Sequence, residues 1–429
     1  MRIPKRFRRH IYTILSGVAT GAISAFLITS FDDGFGSGSL NNVAIAQGNT
    51  VTITPVSKEQ WEEFTTEKKA ILASTLTLYI SEDIPDLEQN TWEIPLINHE
   101  DWIVMKKSWF NATASLNASR VRSFIKNEIV PAIPAPSHLS IISLPVGDEV
   151  RAETKEEIKD GWALDSVDSA KRVTEAVSKG LLKVKLPVRE VKGSIINKTG
   201  SDLGDLRLIS QGRSNFAGSV TERIFNINKA LSEHVSNVLI APGETFSFNS
   251  ALGDVVETYT GWKESLGIFN GDELKPTAGG GICQVSTTTY RAAIQAGLPI
   301  KDQRNHSMYI KYYKEHGEGL DATVYVGSQD LTFTNNTPGY LFINAYSKGN
   351  EAYVDIYGTD DGREVALEGP YRKKDAPEDV VHPEGERWAL GWQSIAWRQR
   401  IKNAKGKEEQ VNYIVSHYTN EIPWNGTPM

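Results

Sequence analysis

The sequence predicts an α+β protein exported from the cytoplasm, and three observations carry that expectation. Strand-like runs such as LTLYI, LSIISL and LLKVKLPV alternate with helical patterns such as SRVRSFIKNEIVPAI and DSVDSAKRVTEAVSKG. After residue 200, Gly and Asn punctuate short β-type stretches, and one strong helical pattern stands among them, starting at the only cysteine. The chain opens with the basic stretch MRIPKRFRRH, followed by IYTILSGVATGAISAFLITS, which has no charged residue.

The opening segment has two readings. A signal peptide would be cleaved after Ala44-Ile45-Ala46, before Gln47. An uncleaved anchor is equally consistent, because about 20 apolar residues span a bilayer. Either way the arginines and lysines stay on the cytoplasmic side and the rest of the chain lies outside, secreted or anchored.

With 429 residues, 40% of them hydrophobic and 23% charged, the chain can build two or three domains with real cores. The expected partition is a signal or anchor with linker over 1–46, an α+β binding module over 50–195, a cysteine-bearing domain over 200–360, and a β-rich extension over 361–429 packed on it. The formal net charge of -7 leaves no basic footprint, so nucleic acid is not an expected partner. One cysteine excludes an intrachain disulfide and CxxC-type zinc sites, and the eight histidines lack HExxH spacing. Cys283, His306 and His316 offer only scattered ligands, so neither a metal nor a cofactor is expected.

Within the first module, Asp165 or Ser166 caps a helix whose apolar positions are Val167, Ala170, Val173, Ala176 and Val177, and Gly180 ends it. In the next domain, FSF at 246–248 reads as core strand. The stretch GGGICQVSTTTYRAAIQAG at 279–297 raises the chemical question. Gly279, Gly280 and Gly281 allow a tight turn into a helix. Cys283 then falls in the first turn, where free N–H groups and the positive end of the dipole favour a thiolate. Thr287, Thr288 and Thr289 each weaken the helix by a few tenths of a kcal/mol relative to alanine. Burial must hold it, through Val285, Thr289, Ala292, Ala293 and Ala296, up to the terminating Gly297 and Pro299.

A thiolate nucleophile needs a base and an orienter. His306 and Asp321 follow in the β-type contexts HSMYIKYY and DATVYV, on either side of a turn-forming EHGEG. Facing antiparallel strands would bring them together, with Cβ atoms about 5 Å apart. The expected triad is Cys283 as nucleophile, His306 as base and Asp321 as orienter, in the order of a transglutaminase-like or papain-like site. Gly279, Gly280, Gly281, Gln284 and Ser286 form the expected binding or oxyanion loop. The competing reading makes Cys283 a small buried hydrophobe. In the extension, Trp392 and Trp397 are expected to pack, with a saccharide surface as their other use.

The run GGGICQVSTTTYRAAIQAGLPI, then QRNHS, GLDATVYVG and DLTFTNNT, with PGETFSFN upstream, resembles the VanW family, named from accessory genes in some vancomycin-resistance clusters. The resemblance covers about 200–420. The stretch GWALDSVDSAKRVTEAVSKGLLKVKLPV is similar to the YoaR-like peptidoglycan-binding domain that often precedes a VanW domain. Gln303-Arg304 stands where the family usually has Glu-Arg. The resemblance implies a bacterial cell-envelope protein with peptidoglycan as partner and the membrane as second partner through the hydrophobic segment. It carries no activity of its own. Combined with the triad, it leads to an expectation of thiol-dependent acyl transfer or amide hydrolysis on stem peptides. The alternative is a non-catalytic peptidoglycan-binding or scaffolding protein.

Overall fold

The computed structural model describes residues 43–46, 49–52, 56–107, 111–147, 149–253, 255–269, 273–383 and 389–421. The expected signal or anchor span lies outside the described residues. Among those described, no helix is long and apolar enough to cross a membrane. The fold is α+β, with helices and mostly antiparallel strands.

The chain divides into two compact units, one formed by Met1–Ser137 with Lys159–Gly193 and the other by His138–Ile158 with Ser194–Met429. Residues 138–158, read from sequence as part of the 50–195 module, therefore belong to the second unit. The reason is strand pairing. His138–Ser143 runs parallel to Ser194–Asn197, and Arg151 bridges to Val238. The Arg151 guanidinium also donates to the carbonyls of Ser232, Glu233 and Ser236, at the negative end of a helical segment.

In the first unit, Thr75–Tyr79 pairs with Thr91–Pro95 on one side and with Lys183–Lys185 on the other. Leu76, Leu78, Trp92 and Ile94 point into its core, the inward half of a period-two pattern. The helix Lys58–Leu72 starts at a Ser57–Gln60 capping box and packs on Ala112–Leu116. Asp165 caps the helix Ser166–Val177, its carboxylate accepting from the N–H groups of Val167 and Asp168. Ala170, Val173 and Val177 of that helix are buried, whereas Val167 faces outward at 54% exposure.

The second unit is built on an antiparallel sheet in the order Arg207–Asn215, Glu351–Gly358, Leu341–Lys348, Leu239–Ile240. The cysteine helix, Ile282–Gln295, lies on the first two of these strands. Contact is close: a Cβ on Gly212 would sit 2.0 Å from the Thr288 carbonyl oxygen, so only glycine lets the helix seat. Hydrogen bonds fix it there, from Ser210 Oγ to the Ala292 carbonyl at 2.9 Å and between Ser214 Oγ and Thr288 Oγ1 at 2.6 Å. Every residue from Gln284 to Ile294 is buried. The five inward positions expected from sequence are thus buried, but so are the rest, and the threonines that weaken the helix locally are held by packing on all sides.

Phe246 and Phe248 are core residues, with Phe248 opening a short helix after the strand Thr245–Ser247. Residues 364–417 supply a three-stranded antiparallel sheet. Its Gln399 donates to the Ile294 carbonyl at the end of the cysteine helix, and the Trp397 indole donates to the Glu318 carbonyl. Trp392 does not pack as expected: it is 76% exposed, with the Lys373 ammonium over its ring.

Candidate active site

The glycine run delivers Cys283 to the second position of its helix. Gly279 and Gly281 adopt φ of 74° and 112°, and a Cβ on Gly280 would lie 2.4 Å from the Ser265 carbonyl oxygen. Asn226 secures the turn by donating to the carbonyls of Gly280 and Lys263 and accepting from the Lys263 N–H. The N–H groups of Ile282 and Gln284 are taken by the carbonyls of Gly279 and Gly281. No carbonyl among the described residues accepts from the Cys283 N–H.

His306 and Asp321 meet, though not on facing strands. Both lie in extended segments outside any ladder, joined by one backbone bond from Thr323 N–H to the Arg304 carbonyl. Side chains do the joining instead. One Asp321 oxygen accepts from the His306 ring at Nδ1 (2.5 Å) and from the His306 N–H (2.8 Å), while the other accepts from the Tyr418 hydroxyl at 2.6 Å. A carboxylate only accepts, so Nδ1 carries its proton and Nε2 is the nitrogen that meets the Cys283 sulfur. His306 and Asp321 are 4% and 1% exposed, and Cys283 is half-buried. The sulfur also lies 3.8 Å from Thr323 Oγ1 and 3.6 Å from the Val324 carbonyl oxygen.

Electrostatics follow from this packing. Burial pushes the Cys283 thiol up, but the hydrogen bond and charge of His306 outweigh it and leave the thiol below its ordinary value. Burial pushes the His306 imidazole down, and the bonds to Asp321 and Cys283 override it, raising His306 to about 10. Both shifts favour a thiolate–imidazolium pair near neutral pH.

Arg291, fully buried on the cysteine helix, holds the segment between the two partners. Its five N–H groups donate to the carbonyls of Arg213, Tyr313, Glu315, Gly317 and Leu320 at 2.6 to 2.9 Å. Ser286 Oγ donates to the Ala322 carbonyl at 2.6 Å, and Thr287 Oγ1 accepts from the Ala322 N–H. Gln303 donates to the Asp321 carbonyl, a bracing contact that an acidic residue there would not make. Gln284 and Ser286, expected to line the binding loop, are fully buried and spent on such bracing. Gln284 donates to Ser214 Oγ and the Asn215 carbonyl and accepts from Arg223.

Sequence reasoning missed Tyr418, Arg291, Asn226 and Arg223. An arginine between Thr289 and Ala292 on a helix with no acidic neighbour was a legible sign of a buried role for Arg291; nothing local marks Tyr418. The three histidine and carboxylate groups that cluster elsewhere, Glu315, His316 and Glu351, have Glu351 already paired with Arg213.

A half-buried sulfur on a helix tip, coupled to an imidazole that a carboxylate orients, defines an α+β domain with a Cys–His–Asp constellation. Residues 222–357 match the family described as VanW like protein. It is 36% identical to the uncharacterized protein YoaR of Bacillus subtilis (strain 168) over 148 residues, 34% of this chain and 46% of that one. It is 32% identical to the vancomycin B-type resistance protein VanW of Enterococcus faecalis (strain ATCC 700802 / V583) over 119 residues, 27% of this chain and 42% of that one. The matched stretches thus span less than half the length of either relative. No solved structure matches the chain.

Proposed function

We propose that this is an extracytoplasmic cell-envelope protein that performs thiol-dependent acyl transfer on the peptide stems of peptidoglycan. The single observation behind the chemistry is that Cys283 is electrostatically coupled to His306, whose ring is held by an Asp321 carboxylate that also accepts from Tyr418. The kinship with a protein named for vancomycin resistance, together with the basic and apolar N-terminal sequence, supports the cell wall as the place of action.

In the reaction, the Cys283 thiolate attacks an amide carbonyl, and the Cys283 N–H stabilises the oxyanion that forms. His306 then gives its Nε2 proton to the leaving amine, producing a thioester, while Asp321 keeps the ring oriented. Neutral His306 next takes a proton from the acceptor, which attacks the thioester and releases the thiolate. Water as acceptor makes the protein an amidase or endopeptidase, and an amine makes it a transpeptidase. The first unit serves as the peptidoglycan-binding module.

Incubating the protein and its Cys283→Ala variant with muropeptides tests this, with products and any acyl adduct read by mass spectrometry. A new product from the native protein alone is the expected result. Binding by both with product from neither makes the protein a non-catalytic wall binder.

A further inference from the structure

The second buried arginine of the site behaves unlike Arg291. Arg223, on the helix Thr221–Lys229, is 7% exposed. Two of its N–H groups are committed, one to Ser219 Oγ at 2.7 Å and one to Gln284 Oε1 at 2.9 Å. The guanidinium carbon lies 4.5 Å from the centre of the Tyr312 ring. No carboxylate among the described residues pairs with it, and its other N–H groups have no acceptor there. Taking a guanidinium out of water is costly, and an anion on its unused N–H groups would offset that cost.

Its contacts tie it to the segments that carry the sulfur and its base. Gln284 follows Cys283 in the chain, and a Cβ on Gly281 would lie 2.9 Å from Arg223 Cγ. Tyr312 precedes Tyr313, whose ring lies 5.3 Å from that of His306. Gln284, spent on bracing, thereby also aims Arg223: the amide that accepts from the arginine is itself locked by Ser214 and Asn215. Arginine suits a carboxylate because its planar fork offers parallel donors to both oxygens.

We propose that Arg223 is the anion-recognition element of the thiol site, binding a free carboxylate on the acyl donor close to the scissile amide. The substrate class narrows accordingly, from stem peptides in general to peptides carrying a free carboxylate near the bond attacked. This rests on the reading of Cys283 as a reactive thiolate.

Two alkylating agents of similar size separate the inference from that reading. Iodoacetate carries a carboxylate and iodoacetamide does not, and both transfer a carbon to the sulfur with loss of iodide. Cys283 is the only cysteine, so intact mass reports one site. The ratio of the iodoacetate to the iodoacetamide rate cancels changes in the sulfur itself. In Arg223→Gln this ratio falls roughly tenfold from the native value, and Arg223→Lys retains most of it. An equal ratio in native protein and Arg223→Gln overturns the carboxylate site while leaving the reactive thiol intact. Failure of iodoacetamide to label the native protein overturns both. A measurement on native protein alone guards against a variant that does not fold: N-acetyl-dialanine slows iodoacetamide labelling, and its C-terminal amide does not. Equal protection by the two peptides refutes the inference.

Discussion

Replacing His306 by glutamine is the most direct probe of the site, because two opposing influences on Cys283 are then separated. Burial raises the thiol and His306 lowers it, and His306 wins. A hydrogen bond to a charged group contributes about 1.5–3 kcal/mol. Loss of the imidazole removes that contribution, so the thiol rises. Burial is then opposed only by the contacts with Thr323 and Val324, and the midpoint moves up. Glutamine is chosen because its amide can still donate to Asp321, which otherwise keeps only the His306 N–H and the Tyr418 hydroxyl. The assay is the pH dependence of iodoacetamide labelling of the lone cysteine, on protein whose melting confirms a folded state. A folded His306→Gln protein with an unchanged midpoint would refute the ion-pair argument.

Other expectations follow from the same geometry. Arg291→Met orphans five carbonyls and lowers unfolding free energy in urea by about 3 kcal/mol or more, since unsatisfied buried acceptors cost about 1–3 kcal/mol each where water does not reach them. Gly212→Ala forces a methyl group against the Thr288 carbonyl and costs about 1–3 kcal/mol by overpacking, read in the same titration. Tyr418→Phe removes a donor from the Asp321 carboxylate and lowers stability by about 1.5–3 kcal/mol; a neutral effect would mean that the hydroxyl does not hold the carboxylate. For pH, a Cys283→Ala background leaves Asp321 as the partner that raises His306. A group whose folded pKa is raised stabilises fully below its unfolded value, about 6.5, and loses that contribution as pH rises through the folded one. The difference in melting temperature between Cys283→Ala and Cys283→Ala/His306→Gln should therefore shrink as pH rises above about 6.5, and a constant difference would contradict the linkage.

How much of this was legible depends on the range of the interaction. The cysteine helix was readable because its signals are local: glycines that permit the turn, an apolar repeat, and Gly297 at its end with φ of 65°. The identities of His306 and Asp321 were readable from residue chemistry, but their placement was not. Facing strands were expected because HSMYIKYY and DATVYV look like strands, yet ladder pairing between the two backbones is replaced here by bonds to side chains from elsewhere in the chain. Arg291 reaches the carbonyls of the intervening turn from the helix, and Tyr418 reaches Asp321 from the far end of the sequence. Such contacts have no periodicity, so no pattern in one sequence exposes them.

The threonine run shows the same limit from the other side. Read locally, Thr287, Thr288 and Thr289 are a helix weakened at three positions. In the fold each hydroxyl has a partner: Thr287 holds the backbone of Ala322, Thr288 bonds Ser214 on the sheet, and Thr289 bonds the Val285 carbonyl within the helix. Alanine at 287 would raise helix propensity and still loosen the site, because the N–H it leaves unpaired belongs to the residue next to Asp321. Local weakness in this helix is therefore the consequence of spending its side chains on the segment that carries the carboxylate, and the depressed thiol depends on that segment through His306.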